Sequence, residues 1–562
     1  MQQDREEQLM HMFCNQCQET THNSGCVIRG ICGKDPRTAA LQDYLLYALK
    51  GLAFYGVPAR AHGIVDESTD LFVAQALFAT LTNVNFDPER LYQLTREAFA
   101  RRDRFRTHLT ASRVSNEAVP LMATCPAEGD IDDYVQWGTD VAPHSAPHPN
   151  EDIQSLRELL VFGLKGLAAY CDHAYVLDHR DPDLLAFLQE GLVACTDDTA
   201  AVDELIALVM RCGQHGVQVM ALLDEANTSR FGHPKPSAVN LGVDPDAPGI
   251  LVSGHDLLDL YELLEQTAGT GIKVYTHGEM LPAHAYPAFK QFPHLAGNYG
   301  GAWWEQQHHF EQFNGPVLVT TNCIQKPRTS YADRLFTTGM VGWEGIPHVA
   351  DRQAGQQKDF SALIACAQNC APPTELETGQ LQVGFAHDTV LGVADQVLAA
   401  IHSGAVKRFV VMAGCDGRHK ERSYYTDVAL SLPEDTIILT AGCAKYRYNK
   451  LNLGTIGGLP RVLDAGQCND SYSLVVVAQK LAEAVGADSI NDLPISYDIA
   501  WYEQKAVLVL LALLSLGVKG IRLGPTLPAF LSPNVRDFLV QTFDIKPIAD
   551  VEPDVAAMMS GA

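Results

Sequence analysis

Positive charge is scarce in this sequence. Its 41 lysines and arginines stand against 67 aspartates and glutamates, a net charge of −26. Such a chain repels phosphates, which excludes wrapping nucleic acid or lying on anionic membrane. It is compatible with a soluble enzyme or with a partner that has a basic docking face. Long hydrophobic runs are missing too. The longest, Ala506 to Val518, is about 13 residues and contains Ser515 and Gly517. That is short for a membrane span and right for a buried core helix. Met1 to His11 is polar and acidic, with no apolar centre, which excludes a secretory signal. No flavin or nicotinamide fingerprint occurs, so any electrons must come from a separate protein. Low-complexity sequence is sparse. A cytoplasmic location follows, and fourteen cysteines in such a chain point to metal or redox chemistry, not to a disulfide framework.

The rest is ordinary globular protein. With 47% hydrophobic and 19% charged residues, the 562-residue chain has apolar material for roughly three or four domains. The stretch from Val406 to Asp470 organises it. Arg408 to Cys415, Thr436 to Cys443 and Leu459 to Cys468 are three apolar runs, each ending in a small-residue turn that delivers a cysteine. The spacing is about one strand–helix unit each time. In an open parallel sheet ligands bind beyond the carboxyl ends of the strands, so the three thiols converge on one crevice. Thiolates gathered in this way suit iron–sulfur chemistry or zinc. The structural alternative is three buried cysteines, a common fate of free thiols.

In chain order, a first cluster comes at once: Cys14, Cys17, Cys26 and Cys32, spaced C-x2-C-x8-C-x5-C. Four cysteines so close can wrap one metal site, iron–sulfur or zinc. Gly25, Gly30 and Gly33 allow close backbone approach to it. From Leu41 to Phe231 the periodicity is helical, with Asp87-Pro-Glu and Asp181-Pro-Asp as helix starts. Tyr47 to Tyr55 is echoed by Phe162 to Tyr170, which predicts two related helical bundles. The loop Trp137 to Asn150 joins them, its His144 and His148 read as solvated. Beyond Phe231 strands and helices alternate. Strand-like runs now end in His255, in His277 with Glu279, and in Cys323. Pro372 to Gly379 reads as a linker. Glu503 and Lys505 open the apolar helix after Ala506. Burial of such groups without partners is costly, so Glu503 is paired with Lys505 or bound to something cationic.

Collected, the donors His255, Glu279, Cys323, Cys415, Cys443 and Cys468, with Glu503 as a seventh, are too many for one metal and too mixed for an all-cysteine cluster. A polynuclear iron site with a sulfur-rich and an oxygen- and nitrogen-rich end fits better. An unsaturated iron there can bind a small oxidised molecule. His277 and Lys505 are placed to supply protons or to orient ligands. Cys125, Cys171, Cys195 and Cys212 read as core thiols. Cys366 and Cys370, one helical turn apart, read as core or boundary thiols, with a metal clamp as the alternative.

These residues fall in recognisable strings: Met12 to Thr20, Gly25-Cys26, Cys32-Gly-Lys34, Thr80 to Asp87, Ser253 to Leu257, Tyr275 to His284, Asn322-Cys323, Gly414 to Gly417, Cys443 to Arg447, Asp464 to Asp470, and Trp501 to Lys505. In them the chain resembles the hybrid cluster proteins, also called hydroxylamine reductases, over essentially its full length after Met12. The resemblance implies a multidomain α and α/β fold: an all-helical domain of two bundles over 1–235, then two α/β parallel-sheet, Rossmann-like domains over 236–378 and 379–562. It implies a 4Fe-4S cluster on Cys14, Cys17, Cys26 and Cys32, of the short-spacing class. At the domain junction it implies a hybrid 4Fe-2S-2O cluster held by His255, Glu279, Cys323, Cys443, Cys468 and Glu503, with Cys415 binding through a persulfide. Glu503, Cys415 and Glu279 are the expected catalytic residues. The implied reactions are hydroxylamine to ammonia and water, and nitric oxide to nitrous oxide. The implied partner is a flavin and iron–sulfur NADH oxidoreductase as electron donor. A nitric oxide sensor that passes nitrosyl groups to protein thiols is the alternative. Met12 reads as the original start, and the extension before it touches no site.

Overall fold

The computed structural model describes residues 12–111, 119–145, 147–353 and 355–561. The expectations for Met1 to His11 lie outside these. Among the described residues seven long helices, with a short one at Leu121–Thr124, fill the first part: α1 (Pro36–Ala61), α2 (Glu67–Ala79), α3 (Pro88–Ala111), α4 (Ile131–Val141), α5 (Glu151–Val176), α6 (Pro182–Ala194) and α7 (Val202–Phe231). Helix starts are set by side chains that accept otherwise unpaired N–H groups. Asp87 accepts from Glu89 at 3.0 Å and Asp181 from Asp183 at 2.9 Å, as their sequence context predicts. The internal echo reaches beyond the matching strings. Tyr47 and Phe162 stand at the same distance from the starts of two helices of equal length, 26 residues each. Helices α2 and α6, which follow, are 13 residues each. The two three-helix units thus repeat in geometry as well as in sequence.

The loop between the units is shorter than predicted, because α4 runs on through Trp137 to Val141. Gly138, expected to break the chain, is inside the helix. A Cβ there would lie 2.0 Å from the Ala40 carbonyl, so the glycine serves close packing of α4 on α1. Helix α7 is the one helix among the described residues that is long and apolar enough to cross a membrane. It packs against α5 and against the late helix α9 (Gln504–Ser515), and carries Asp203, Glu204, Arg211 and Asp224 on its other sides.

Two six-stranded parallel sheets follow. The first has β1 (Gly249–Ser253), β2 (Lys273–His277), β3 (Leu295–Asn298), β4 (Val317–Val319), β5 (Leu335–Thr338) and β6 (His348–Val349), in the order β3-β2-β1-β4-β5-β6. The second has β7 (Arg408–Gly414), β8 (Thr436–Thr440), β9 (Val462–Asp464), β10 (Ile495–Ala500), β11 (Ile521–Gly524) and β12 (Lys546–Pro547), in the order β9-β8-β7-β10-β11-β12. The central strands are buried on both faces, as parallel strands covered by helices must be. The multidomain α and α/β fold class is therefore as the sequence implies. Short strands Ser237–Asn240 and Gln380–Val383, just past the two expected boundaries, pair antiparallel with each other. Helix α8 (Ser361–Gln368) precedes the second of them.

Candidate metal centre

Seven donors follow seven parallel strands. His255 and Glu279 come directly after β1 and β2, and Cys323 after β4. Cys415, Cys443, Cys468 and Glu503 come after β7, β8, β9 and β10. Both sheets aim these carboxyl ends at one junction, and all seven side chains line a single small cavity of about 30 Å³. Glu503 therefore belongs to the strand-end series, although its sequence context shows only a helix start.

Neighbouring groups fix the orientation of the donors around the cavity. His255 Nδ1 bonds Thr321 Oγ1 at 2.8 Å, which turns Nε2 into the cavity. That nitrogen lies 3.6 Å from Cys468 Sγ and 3.7 Å from Glu279 Oε2. Glu279 Oε2 accepts from the Cys468 N–H at 2.7 Å, while its Oε1 has no partner. Gln467 Nε2 donates to the carbonyls of His255 and Glu279, both at 2.9 Å, and so ties the second sheet to the first. Glu503 Oε2 caps α9 by accepting from the Lys505 N–H at 2.6 Å. Its Oε1 faces Asn322 Nδ2 at 3.4 Å. The Lys505 ammonium reaches Asn322 Oδ1 at 2.8 Å, His255 Nε2 at 3.1 Å and Glu503 Oε1 at 3.9 Å.

Burial sets the charges. It lowers His255 well below the usual imidazole range, helped by the Lys505 and His173 charges, so the ring is neutral and able to ligate. It raises the carboxyls of Glu279 and Glu503, against the pull of Lys445 and Lys505 on the first and of Lys505 on the second. It lifts the thiols of Cys323, Cys415 and Cys443 well up, and Cys468 to about 12. Four thiols and two carboxyls that resist ionisation, with an orphaned Glu279 oxygen, surround one space beside which Lys505 is a single cation, too little charge for all of them to ligate as anions. A polynuclear iron–sulfur–oxygen group supplies that charge and uses soft and hard donors together, whereas a lone tetrahedral zinc leaves donors over. The residues present fit such a group.

The N-terminal four also come together. Cys14 and Cys26 face each other in a two-way backbone bridge. Cys17 feels the charges of Cys32, Cys14 and Cys26, and burial, then Cys32 and Cys14, raise its thiol. Cys32 is pushed up to about 11, chiefly by burial. Cys26 is lowered, because hydrogen bonds led by Thr21 at 3.3 Å outweigh its burial. Gly30 is needed where a Cβ would sit 3.0 Å from Cys32 Sγ. The loop docks directly on the larger site. The Gln18 N–H donates to the Tyr502 carbonyl at 3.0 Å, and Arg422 joins Gln18 Oε1 to the carbonyls of Cys415 and Trp501. Tyr502 meets Trp303 in a tilted contact, with ring centroids 4.4 Å apart, and lies near Cys17, Cys32 and Cys323.

Some expectations change. Neither Lys505 nor His277 lines the cavity itself, but Lys505 bonds Asn322 and His255, which do. The two His277 nitrogens are engaged by Ser253 Oγ at 3.0 Å and His309 Nδ1 at 3.1 Å, so it orients neighbours and has no free route to supply protons. Cys125, Cys171, Cys195 and Cys212 are buried, as read. His144 is exposed, as read, and packs on Phe13 at 5.1 Å; with half-buried His148 it lines a large cavity beside Cys14. Sequence reading missed Tyr170 and His173. Both project from α5: His173 stacks on His255 at 5.7 Å, and the Tyr170 hydroxyl lies against the Cys468 thiol. The echo containing Tyr170 gave a packing reason for it, and nothing local marks a site. Asn322 and Gln467 were visible only as neighbours of cysteines.

The curated protein from Halothermothrix orenii named hydroxylamine reductase is 61% identical over 558 residues, covering 98% of this chain and all of that one. The one of the same name from Nitratidesulfovibrio vulgaris is 59% identical with the same coverage. Among solved structures, carbon monoxide dehydrogenase IV from Carboxydothermus hydrogenoformans superposes with a TM-score of 0.56 at 16% identity, covering all of this chain and 94% of that one, a likeness of fold. The sequence pattern of the Prismane/CO dehydrogenase family matches residues 12–556, and the chain belongs to that family.

Proposed function

We propose that this protein is a cytoplasmic iron–sulfur oxidoreductase that reduces small nitrogen oxides, hydroxylamine to ammonia and water and nitric oxide to nitrous oxide. The observation that carries this is the convergence of His255, Glu279, Cys323, Cys415, Cys443, Cys468 and Glu503 on one cavity, in a chain whose relatives at 59–61% identity are named hydroxylamine reductase. When bound, a hybrid 4Fe-2S-2O cluster on those seven supplies an open iron that accepts an N–O group and delivers electrons. Cys14, Cys17, Cys26 and Cys32 would hold a 4Fe-4S cluster, which would supply an entry point for electrons from a separate flavin and iron–sulfur donor protein. Tyr502 and Trp303, in tilted ring contact, lie near both cysteine sets.

The chain's own residues then do three things. Thr321 fixes the His255 tautomer so that Nε2 ligates. Lys505 holds protons next to the cavity: the nearby charges of Cys468 and Glu503 outweigh burial and keep its ammonium charged, beside the point where an N–O bond must be protonated as it breaks. Glu503 shares its carboxylate between the helix cap and the cavity, so it can give way to substrate without leaving its strand end. Cys415, whose amide is held by the Ala500 carbonyl at 2.9 Å, offers a rigid sulfur for the persulfide.

The test is turnover by anaerobically prepared, reduced holoprotein given nitric oxide and isotopically labelled hydroxylamine, separately and together. Labelled ammonia and nitrous oxide are the expected products. Glu503→Ala should keep the cluster absorbance and lose about tenfold or more in kcat, the loss of one transition-state contact. Absence of turnover with both clusters intact sinks the reductase reading and puts the nitrosyl sensor in its place.

A further inference from the structure

A cavity of about 770 Å³ lies beside Cys14, apart from the space enclosed by the seven donors. Its volume is that of a small-molecule site. Except for Cys14, the reaction proposed above uses none of its side chains. Two helix faces that repeat one another wall it. Asp43, Leu46, Tyr47 and Lys50 of α1 line it at the helical spacing i, i+3, i+4, i+7. Glu158, Val161, Phe162 and Lys165 of α5 line it at the same spacing, and each is the counterpart of its α1 residue in the internal echo. The echo therefore includes an acid at the start of each face and a lysine at its end.

The two copies differ in what meets them. On α5 the charged ends are satisfied. Glu158 accepts from Asn15 Nδ2 at 2.9 Å and from Gln154 Nε2 at 2.8 Å. Lys165 donates to Gln16 Oε1 at 2.9 Å. Successive residues of the cysteine loop thus bring an amide N–H to the acid and an amide oxygen to the lysine. On α1 the same two groups stand at the cavity without such help. Among the described residues neither Asp43 nor Lys50 makes a hydrogen bond or an ion-pair contact, and both are half-buried. Burial raises the Asp43 carboxyl to about 6 and lowers the Lys50 ammonium, as it does for charges held off water without close partners. Other charged groups on the wall are engaged: Arg157 with Asp198 at 3.0 Å, and Asp140 with Gln136 at 3.1 Å.

Seven residues of helix separate Asp43 from Lys50, about 10 Å along the axis. An extended peptide of three residues spans about the same length. Leu46 and Tyr47 lie between the two charges, and Val161 and Phe162 of the other helix add apolar and aromatic wall. We propose that this cavity binds a free peptide of about three residues, its ammonium end at Asp43 and its carboxylate end at Lys50. A ligand with one charged end leaves the other protein group unpaired, and the reversed orientation sets like charges together.

Calorimetric titration of the anaerobic holoprotein with the tripeptide Gly-Phe-Gly tests this. Saturable binding is expected. Acetylating its amine or amidating its carboxyl should each weaken binding at least about tenfold, since a charge-assisted hydrogen bond is lost. Glycine, too short to reach both ends, should bind more weakly by at least the same factor. In Asp43→Asn the acetylated and free peptides should bind alike, and in Lys50→Met the amidated and free ones. The end-blocked peptides act on the natural protein, so the result does not depend on either variant folding. The inference is overturned if Gly-Phe-Gly shows no saturable binding at millimolar concentration. It is equally overturned if the blocked peptides bind as tightly as the free one, or if the two variants discriminate between them as the natural protein does.

Discussion

Asp498 lies in the middle of β10, fully buried, and neither of its carboxyl oxygens has a hydrogen-bond partner. The register places it beside Arg522 on β11, but Arg522 is bonded to Asp554 at 3.2 Å. Tyr424 and Tyr425 face it as well. Burial, opposed by Arg522 and aided by Asp554, pushes its carboxyl up to about 8. In the unfolded chain it ionises near 3.9. Between those values folding takes up a proton, so this group's contribution is whole below about 4 and is lost as pH rises to about 8. The slope is roughly −1.4 kcal/mol per pH unit for one proton. Asp498→Asn should remove it: plotted against pH, the variant's thermal midpoint should fall less steeply than that of the natural protein across this window. Parallel curves would mean that Asp498 is ionised in the fold. Single residues were unevenly readable from sequence. A cysteine or histidine after an apolar run and a glycine names itself as a donor. Asp498, Asn322 and Tyr170 do not, because what matters in them is what is absent or present across the fold.

Strand ends carry the site, and the sequence betrays a strand end only when the strand is uniformly apolar. β1, β2, β4, β7, β8 and β9 were readable in this way. β10 was not, since Ile495-Ser-Tyr-Asp-Ile-Ala buries a serine and an aspartate among apolar residues. From the residues alone Glu503 therefore read either as half of a local ion pair or as bound to something cationic, and its Lys505 contact is one of several. Its position depends on α9, and α9 is gripped by glycines of the helical domain. A Cβ at Gly166 would lie 2.7 Å from the Gln504 carbonyl, and one at Gly213 would lie 2.1 Å from the Leu511 carbonyl. Backbone cannot yield as a side chain does. Gly213→Ala should thus destabilise by ~1–3 kcal/mol despite alanine's better helix propensity, and should lower hydroxylamine turnover by displacing the strand end. Gly216→Ala meets only the Leu508 side chain at 3.0 Å and should cost less. Equal melting points and rates for the two variants would show that α9 does not need this close approach.

Three bodies of structure meet at one cavity, and this arrangement was readable mainly through repetition: an echoed helix string, and a strand-end motif used again and again. Buried contacts between distant parts of the chain, such as Arg422 with Gln18, leave no local pattern. Charge is the property of the whole chain that the sequence states outright, and it bears on how electrons arrive. With a net charge of −26, the long-range field repels an anionic reductant and attracts a cationic one. Close to Cys14 the field is different. Lys34 reaches Cys14 Sγ at 3.7 Å, and Lys50, Arg157 and Lys165 line the neighbouring cavity with Asp43, Asp140, Glu158 and Asp198, so cations and carboxylates are mixed there. Salt separates the two fields, because screening over about 8–10 Å removes the distant charges before the adjacent ones. If the global charge governs approach, raising ionic strength should speed reduction of the N-terminal cluster by dithionite and slow reduction by a reduced viologen cation, both followed by stopped-flow absorbance. The donor protein, needing a basic face to approach such a surface, should behave like the viologen. The reverse pattern would mean that the basic residues beside Cys14 set the field an incoming donor meets, and the donor's complementary face would then have to be acidic.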